Sequence, residues 1–212
     1  MERKIYIAVP NTGSIDPELV MNLIYWSNSK MYKVQVHLPT GLVPLDNARN
    51  TIVKDFLETD CTHILWIDSD IIPPIQTLDR LIQADKDAIG AACFSMKNDH
   101  GEYFPYPVTL RYNEEEKYQV YYGSGIEEVD AVGGACVLVK RELYEALERP
   151  YEYHYHRDGT LALTCDFDIW QKAQAKGFKL FVDFDILCDH KRKCSILGFQ
   201  NLVADITRKK NK

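Results

Sequence analysis

The sequence predicts an α/β protein with a mainly parallel sheet covered by helices on both faces, and three observations predict it. Short apolar runs of strand length recur at residues 4–10 (KIYIAVP), 63–67 (HILWI), 88–94 (AIGAACF) and 135–139 (ACVLV). Between the early runs, apolar residues return at helical spacing. The two patterns alternate from the N-terminus to about residue 96, and parallel strands need helical crossovers of this kind.

Taken in order, residues 4–10 read as a buried strand. Asp16-Pro17-Glu18 then supplies an N-cap, a proline at the first helical position and an acid in the first turn. Leu19, Val20, Leu23 and Ile24 carry the helix, and residues 33–38 (KVQVHL) alternate as a half-buried strand does. Ala48, Ile52, Val53, Phe56 and Leu57 line one face of a second helix. The run HILWI is a third strand that ends in Asp68-Ser69-Asp70, with Pro73 and Pro74 terminating the segment. An amphipathic helix bearing Ile75, Leu78, Leu81 and Ile82 precedes the small-residue strand AIGAACF.

From Lys97 to about Asp130 the alternation stops, and this Tyr-rich, charged stretch predicts an antiparallel excursion with short strands near residues 108–111 and 118–122. After Gly133-Gly134, ACVLV resumes as a strand and residues 141–147 as a helix, followed by a loop holding His154 and His156. Residues 166–176 predict a helix closed by Gly177. Residues 179–182 predict a last strand leading to Asp189-His190-Lys191-Arg192-Lys193, and the tail from Phe199 predicts a helix with a basic end.

No linker-like stretch divides the 212 residues, which predicts one domain. A hydrophobic fraction of 46%, with 13 Tyr and 8 Phe, is that of a folded chain. The longest apolar run falls far short of the ~20 residues that cross a bilayer. Residues 1–4 lead into no signal-peptide core, and the cysteines at 61, 93, 136, 165, 188 and 194 form no C-x-x-C pair and read as reduced, buried thiols. Together these predict a cytoplasmic protein. A net charge of −6 argues against general nucleic-acid binding. The basic residues Arg208, Lys209, Lys210 and Lys212 read as a solvated tail, with peripheral attraction to an anionic membrane as the alternative.

The pair Asp68 and Asp70 carries the clearest chemistry. An apolar strand delivers both carboxylates to its C-terminal end, where open α/β sheets bind ligands. A bare D-x-D is also what a solvated turn looks like; the buried strand before it and the Ile-Ile-Pro-Pro after it favour function. Carboxylates so placed suit a hard divalent cation, which would neutralise a diphosphate leaving group.

The ordered motifs LDNARN, THILWIDSDIIPP, GGACVLVKRE and TCDFDIWQKAQAKGFKLFVD followed by CDH resemble those of GT-A-fold, family 2-like glycosyltransferases, over nearly the whole chain. The resemblance implies a Rossmann-like three-layer sandwich. Residues 1–96 would be its nucleotide-binding half, 97–195 its acceptor and catalytic half, and 196–212 a C-terminal helix and basic tail. It implies that Asp68, Asp70 and His190 hold the metal, that Pro10 and Asn11 line the base or ribose pocket, and that Arg49 reaches the donor. Gly134 would allow close approach of a substrate. Asp166 would deprotonate the acceptor hydroxyl, with Asp168 as the second candidate, and Lys191, Arg192 and Lys193 would cover the diphosphate. The implied reaction moves a hexosyl group from a UDP- or GDP-linked sugar to a hydroxyl acceptor, with inversion. Mn²⁺ or Mg²⁺ would assist, an imidazole ligand leaning the site toward Mn²⁺.

The chain departs from the family pattern at Cys165, where a Glu is usual. This keeps open a non-catalytic relative that only binds sugar nucleotides. A haloacid-dehalogenase-like phosphatase, which also places D-x-D after a strand, is the other alternative. Against it, Ile72 stands where that family prefers Thr or Val, and two β-α units precede the motif.

Overall fold

The computed structural model describes residues 3–99, 102–115 and 117–192. In chain order its elements are β1 (Lys4–Ala8), α1 (Pro17–Ser27), β2 (Lys33–His37), α2 (Leu45–Leu57), β3 (His63–Ile67), β4 (Ile71–Ile72), α3 (Thr77–Ala84) and β5 (Ala88–Asp99). There follow β6 (Glu102–Pro107), β7 (Thr109–Asn113), β8 (Lys117–Val120), β9 (Ile126–Val129), β10 (Ala131–Val132) and β11 (Cys136–Lys140). The chain continues through α4 (Arg141–Glu145), β12 (His154–Tyr155), β13 (Leu161–Leu163), α5 (Cys165–Ala175) and β14 (Leu180–His190).

The main sheet runs β2-β1-β3-β11-β5-β14-β4, with β6 on β5 and β9 on β14. Strands β1 and β2, β1 and β3, and β5 and β14 pair in parallel. Strand β11 lies antiparallel between β3 and β5, because the chain re-enters the sheet from the excursion instead of through a crossover helix. That excursion is antiparallel, as its sequence predicts: β6 folds back on β5, and β7 pairs with both β8 and β10.

Strand alternation sends side chains to two separate cores. Ile5 and Ile7 of β1, with Leu65 and Ile67 of β3, meet Leu19, Leu23 and Trp26 of α1 and Leu78, Leu81 and Ile82 of α3. Tyr6, Ala8, Ile64 and Trp66 face the other way, against Ile52, Val53 and Phe56 of α2 and against Tyr144, Ile169 and Trp170 of the later helices. The result is a three-layer sandwich. Each fully buried Leu or Ile contributes roughly 1.5–3 kcal/mol, so the sheet's position is set by apolar burial on both faces.

Two features position the site. Asp16 caps α1 by accepting a bond from the Glu18 amide (2.9 Å), and α1 is stapled to the loop after β4 by Asn22 Nδ2 donating to Pro73 O and Trp26 Nε1 to Ile75 O, both at 2.7 Å. The last strand is also longer than the sequence predicts. β14 has a register break between Asp183 and Leu187, where the buried Asp183 accepts two bonds from Arg80 (2.9 and 2.7 Å) and one from the Asp185 amide. Beyond this bulge the strand continues to His190 and pairs antiparallel with β4, a two-residue strand that the sequence does not set apart from the segment ended by Pro73 and Pro74. Gly177 closes α5 with φ +88, as expected. The predicted C-terminal helix and basic tail, with Lys193 and Cys194, lie outside the described residues; the other five cysteines are free and buried.

Candidate active site

Strand β3 is buried up to Ile67 and ends at Asp68, whose amide donates to Ala135 O (2.9 Å), while the Ile71 amide returns to Asp68 O (3.0 Å). This tight turn projects Asp70 toward the end of β14. The β4–β14 pairing places His190 opposite Ile71, and the Lys191 amide donates to Asp70 O at 2.8 Å. His190 Nε2 consequently lies 3.3 Å from Asp70 Oδ2, and Arg192 Nη1 lies 3.8 Å from the same oxygen.

The other imidazole nitrogen defines the chemistry. His190 Nδ1 is 2.7 Å from Phe94 O, and because a carbonyl can only accept, Nδ1 carries the proton. In the neutral ring Nε2 is then free of a proton, and it lies 3.3 Å from a carboxylate oxygen, a pair of donor atoms that could both turn to one cation. The 3.3 Å gap is near the separation of about 3 Å expected for two adjacent ligands each about 2.1 Å from an octahedral cation. An imidazole fixed through its far N–H by a backbone carbonyl is also how metal-bound histidines are held.

Arg49 occupies the centre of the site. Its side chain is 1% exposed, with Nε 2.8 Å from Asp166 Oδ1 and Nη2 3.9 Å from Asp68 Oδ1. The guanidinium carbon stands 5.0 Å from the Trp66 ring centroid and 5.6 Å from that of Tyr151. Burial alone would disfavour its charge, but Asp166 foremost, with Tyr151 and Asp68, more than offsets this and keeps it cationic. Burial raises the Asp68 carboxyl above its ordinary range; Asp166 and Asp70 push the same way, while Arg49 and His190 oppose. Arg49 Nε and Nη1 and Asp166 Oδ1 are buried with no hydrogen-bond partner among the described residues, so the 2.8 Å contact of Arg49 with Asp166 is a charge pair without hydrogen-bond alignment.

Gly134 makes this arrangement sterically feasible. A Cβ there would collide with Arg49 Nη2 and fall 2.6 Å from its Cζ, so the space a side chain would take is filled by the guanidinium. The glycine that the sequence suggests for substrate approach is thus directly in contact with Arg49. Asn11 sits at the sheet's C-terminal edge beside Pro10, but its side chain is spent on loops: Nδ2 donates to Val9 O and Pro39 O, and Oδ1 accepts from the Gly13 amide and the Thr40 hydroxyl.

The two candidate bases on α5 have different surroundings. Asp166 is partly open, its side chain 24% exposed. Asp168 is buried, with Oδ1 2.7 Å from His154 Nε2 and Oδ2 2.6 Å from Lys172 Nζ. Glu152, His154 and Asp168 bring ligand-type atoms within 4.8 Å of one another, and the Lys172 ammonium already serves as their counter-charge. Cys165 is fully buried, and burial followed by the Asp166 charge pushes its thiol up to about 11, so no anion replaces the usual Glu.

Sequence reasoning missed the aromatic box and its supports. Trp66 Nε1 donates to Tyr144 Oη at 2.8 Å, and Tyr144 and Tyr151 share a hydroxyl contact at 2.7 Å. The alternating aromatics in YEYHY, residues 151–155, were the available signal.

No family model matches the chain, and no curated protein matches it in sequence. Among solved structures it is similar to A197 from STIV, with a TM-score of 0.58 and 15% identity over 90% of this chain and 86% of that one. It is also similar to GalNAc-T7, solved with UDP, GalNAc and Mn²⁺, with a TM-score of 0.54 and 11% identity over 92% of this chain. The chain spans 45% of the length of that second structure. With its mainly parallel sheet and the reversed strand β11, the chain shares a GT-A-type fold with these structures.

Proposed function

We propose that this chain is a metal-dependent glycosyltransferase that moves a hexosyl group from a nucleotide-diphosphate sugar to a hydroxyl acceptor, with inversion. The observation that carries the reading is the facing pair of His190 Nε2 and Asp70 Oδ2 at the C-terminal end of the sheet, beside Asp68. Asp68, Asp70 and His190 would hold Mn²⁺ or Mg²⁺, and the ion would supply charge neutralisation at the departing diphosphate. The orphaned Nη1 of Arg49 supports an anionic ligand, since a buried N–H without an acceptor is costly unless a bound group completes it.

In this reading Arg49 orients Asp166 through Oδ1 and leaves Oδ2 to accept the proton of the acceptor hydroxyl as the new bond forms. Direct displacement with Asp166 on the far side inverts the anomeric centre. Pro10 and Asn11 would frame the nucleotide through their backbone and loop geometry, while Gly134 acts through Arg49. Similarity to GalNAc-T7, whose structure holds UDP and Mn²⁺, supports a nucleotide-sugar donor and a metal for this chain; UDP- and GDP-linked sugars are the donors to try.

The test is a thermal-shift screen of UDP-, GDP-, CMP- and dTDP-sugars, each with Mn²⁺, Mg²⁺ or EDTA. A ligand at ~100 times its dissociation constant stabilises by roughly 2.7 kcal/mol. A shift requiring both one nucleotide and the metal is the expected result, and no shift with any pair would refute the proposal. The neutral Cys165 favours one second reading, a sugar-nucleotide binder without turnover, which would show the shift but no transferred sugar.

A further inference from the structure

Three of the five cysteines among the described residues converge on one face of the sheet. β14 pairs in parallel with β5, which sets Cys188 directly abreast of Cys93. On the other side of β5, strand β11 sets Val137 against Gly90 and brings Cys136 beside Ala91. All three side chains enter the core shared with α1 and α3, whereas Cys61 and Cys165 lie in the other core. The Cys188 thiol meets those of both Cys93 and Cys136.

A single buried thiol is a small hydrophobe, but two abreast on neighbouring strands are also the halves of a disulfide. Neighbouring strands run about 4.8 Å apart, inside the Cα separation of roughly 4.4–6.8 Å that a bridge spans. Cys93 and Cys188 are 5% and 6% exposed against 1% for Cys136, so they are the pair nearer to a small oxidant in solvent. Each of these cysteines also adjoins a group that shapes the candidate metal site. Cys93 precedes Phe94, whose carbonyl oxygen lies 2.7 Å from His190 Nδ1, and Cys188 stands two residues before His190 on the same strand. Cys136 follows Ala135, whose oxygen accepts the Asp68 amide. The Cβ atoms of a disulfide stand about 3.8 Å apart, so closing Cys93 onto Cys188 would draw β5 and β14 together by roughly 1 Å where Phe94 positions the imidazole.

We infer that Cys93 and Cys188 are a redox pair that closes to a disulfide under hydrogen peroxide and so re-aims His190. A peroxide oxygen passes to one thiol sulfur, giving a sulfenic acid and a first water. The second sulfur then displaces that hydroxyl, forming the S–S bond and a second water. One peroxide thus takes up two electrons and the two thiol hydrogens, and a dithiol reductant reverses the step by exchange. The bridge is independent of the glycosyl-transfer reading; only its effect on a bound metal rests on that reading.

The test uses the full chain carrying Cys194→Ser, so that any bridge arises from the five described cysteines. It is treated with hydrogen peroxide, unfolded, and its remaining thiols are alkylated for mass mapping. The expected product has lost two alkylatable thiols, carries one peptide pair linked through Cys93 and Cys188, and reverts fully with dithiothreitol. In the folded protein the imidazole NMR signals of His190, assigned with His190→Gln, should shift on oxidation and return on reduction. Mn²⁺ binding by the reduced chain should weaken about tenfold or more on oxidation, the scale of disturbing a ligand's outer contact. Cys188→Ala and Cys93→Ala, each checked by its melt, should lose both the bridge and the NMR response. Five alkylatable thiols after peroxide, sulfinic acids in place of a bridge, or a bridge from Cys188 to Cys136 would each overturn the inference. So would a Cys93–Cys188 bridge that leaves the His190 signals unmoved. A reduced chain that binds no Mn²⁺ would refute the metal reading of the site, and the mass and NMR results would still decide the redox pair.

Discussion

Replacing Arg49 with Met tests the centre of the site most directly. The substitution keeps an apolar stem but removes a guanidinium that is 1% exposed, leaving Asp166 Oδ1 buried without its cation 2.8 Å away. Breaking a buried ion pair by deleting one partner costs about 3–5 kcal/mol. Because Asp166 keeps 24% of its side chain in solvent, the lower end applies, about 3 kcal/mol. For a chain of this length roughly 2–4 °C accompanies each kcal/mol, so the melting temperature should fall by about 6–12 °C. Calorimetry on Arg49→Met, Asp166→Asn and the double variant supplies the assay. The double variant should be more stable than the sum of the single effects predicts, by about 1 kcal/mol or more, because the neutral amide on α5 no longer strands a charge. A single Arg49→Met variant within about 1 kcal/mol of the parent, or strict additivity, would refute the ion pair as the organising contact of the site.

Gly134→Ala drives a Cβ into the guanidinium, 2.6 Å from its carbon, and as Trp66 and Tyr151 flank Arg49 the overpacking should cost about 1–3 kcal/mol, read from a denaturant midpoint. Asp70→Ala should leave the melt in EDTA nearly unchanged, since its side chain is 42% exposed, yet abolish metal-dependent stabilisation by a nucleotide sugar. Asp68→Asn should raise the melting temperature in EDTA at pH 7. Its carboxyl is raised in the folded state, so the native chain binds the proton more tightly than the unfolded one and the parent loses stability as pH rises through the folded value. The gain should therefore fade as pH falls toward the ordinary carboxylate value of about 3.9, and a gain constant with pH would contradict the shift. Asp166→Asn should lose sugar transfer while retaining donor binding, whereas Asp168→Asn, which loses contacts to His154 and Lys172, should act mainly on stability; transfer retained in Asp166→Asn would move the base elsewhere.

Much of this protein was legible in one dimension. Apolar runs of strand length, the Asp16-Pro17-Glu18 start of α1 and the Gly177 stop of α5 are local signals, governed by burial and backbone chemistry within a few residues. The placement of Asp68 at a strand's C-terminal end follows from the same patterning. The sheet's reversed strand β11 did not follow, because direction depends on how the chain returns from the excursion and not on the composition of the strand.

The sequence by itself therefore determined the layers and brought the candidate residues to the edge of the sheet. Only the tertiary structure decided their partners. Arg49 reads as a donor contact on a helix surface until α2 packs it between Trp66 and Tyr151, and Gly134 reads as a substrate approach until its missing side chain proves to be the space for that arginine. Asp70 and His190 are 120 positions apart, and their 3.3 Å meeting needs the bulge at Asp183 and the β4–β14 pairing, neither of which leaves a periodic trace. Local pattern records which face of an element is buried; contacts between distant elements depend on the register and closure of the whole sheet.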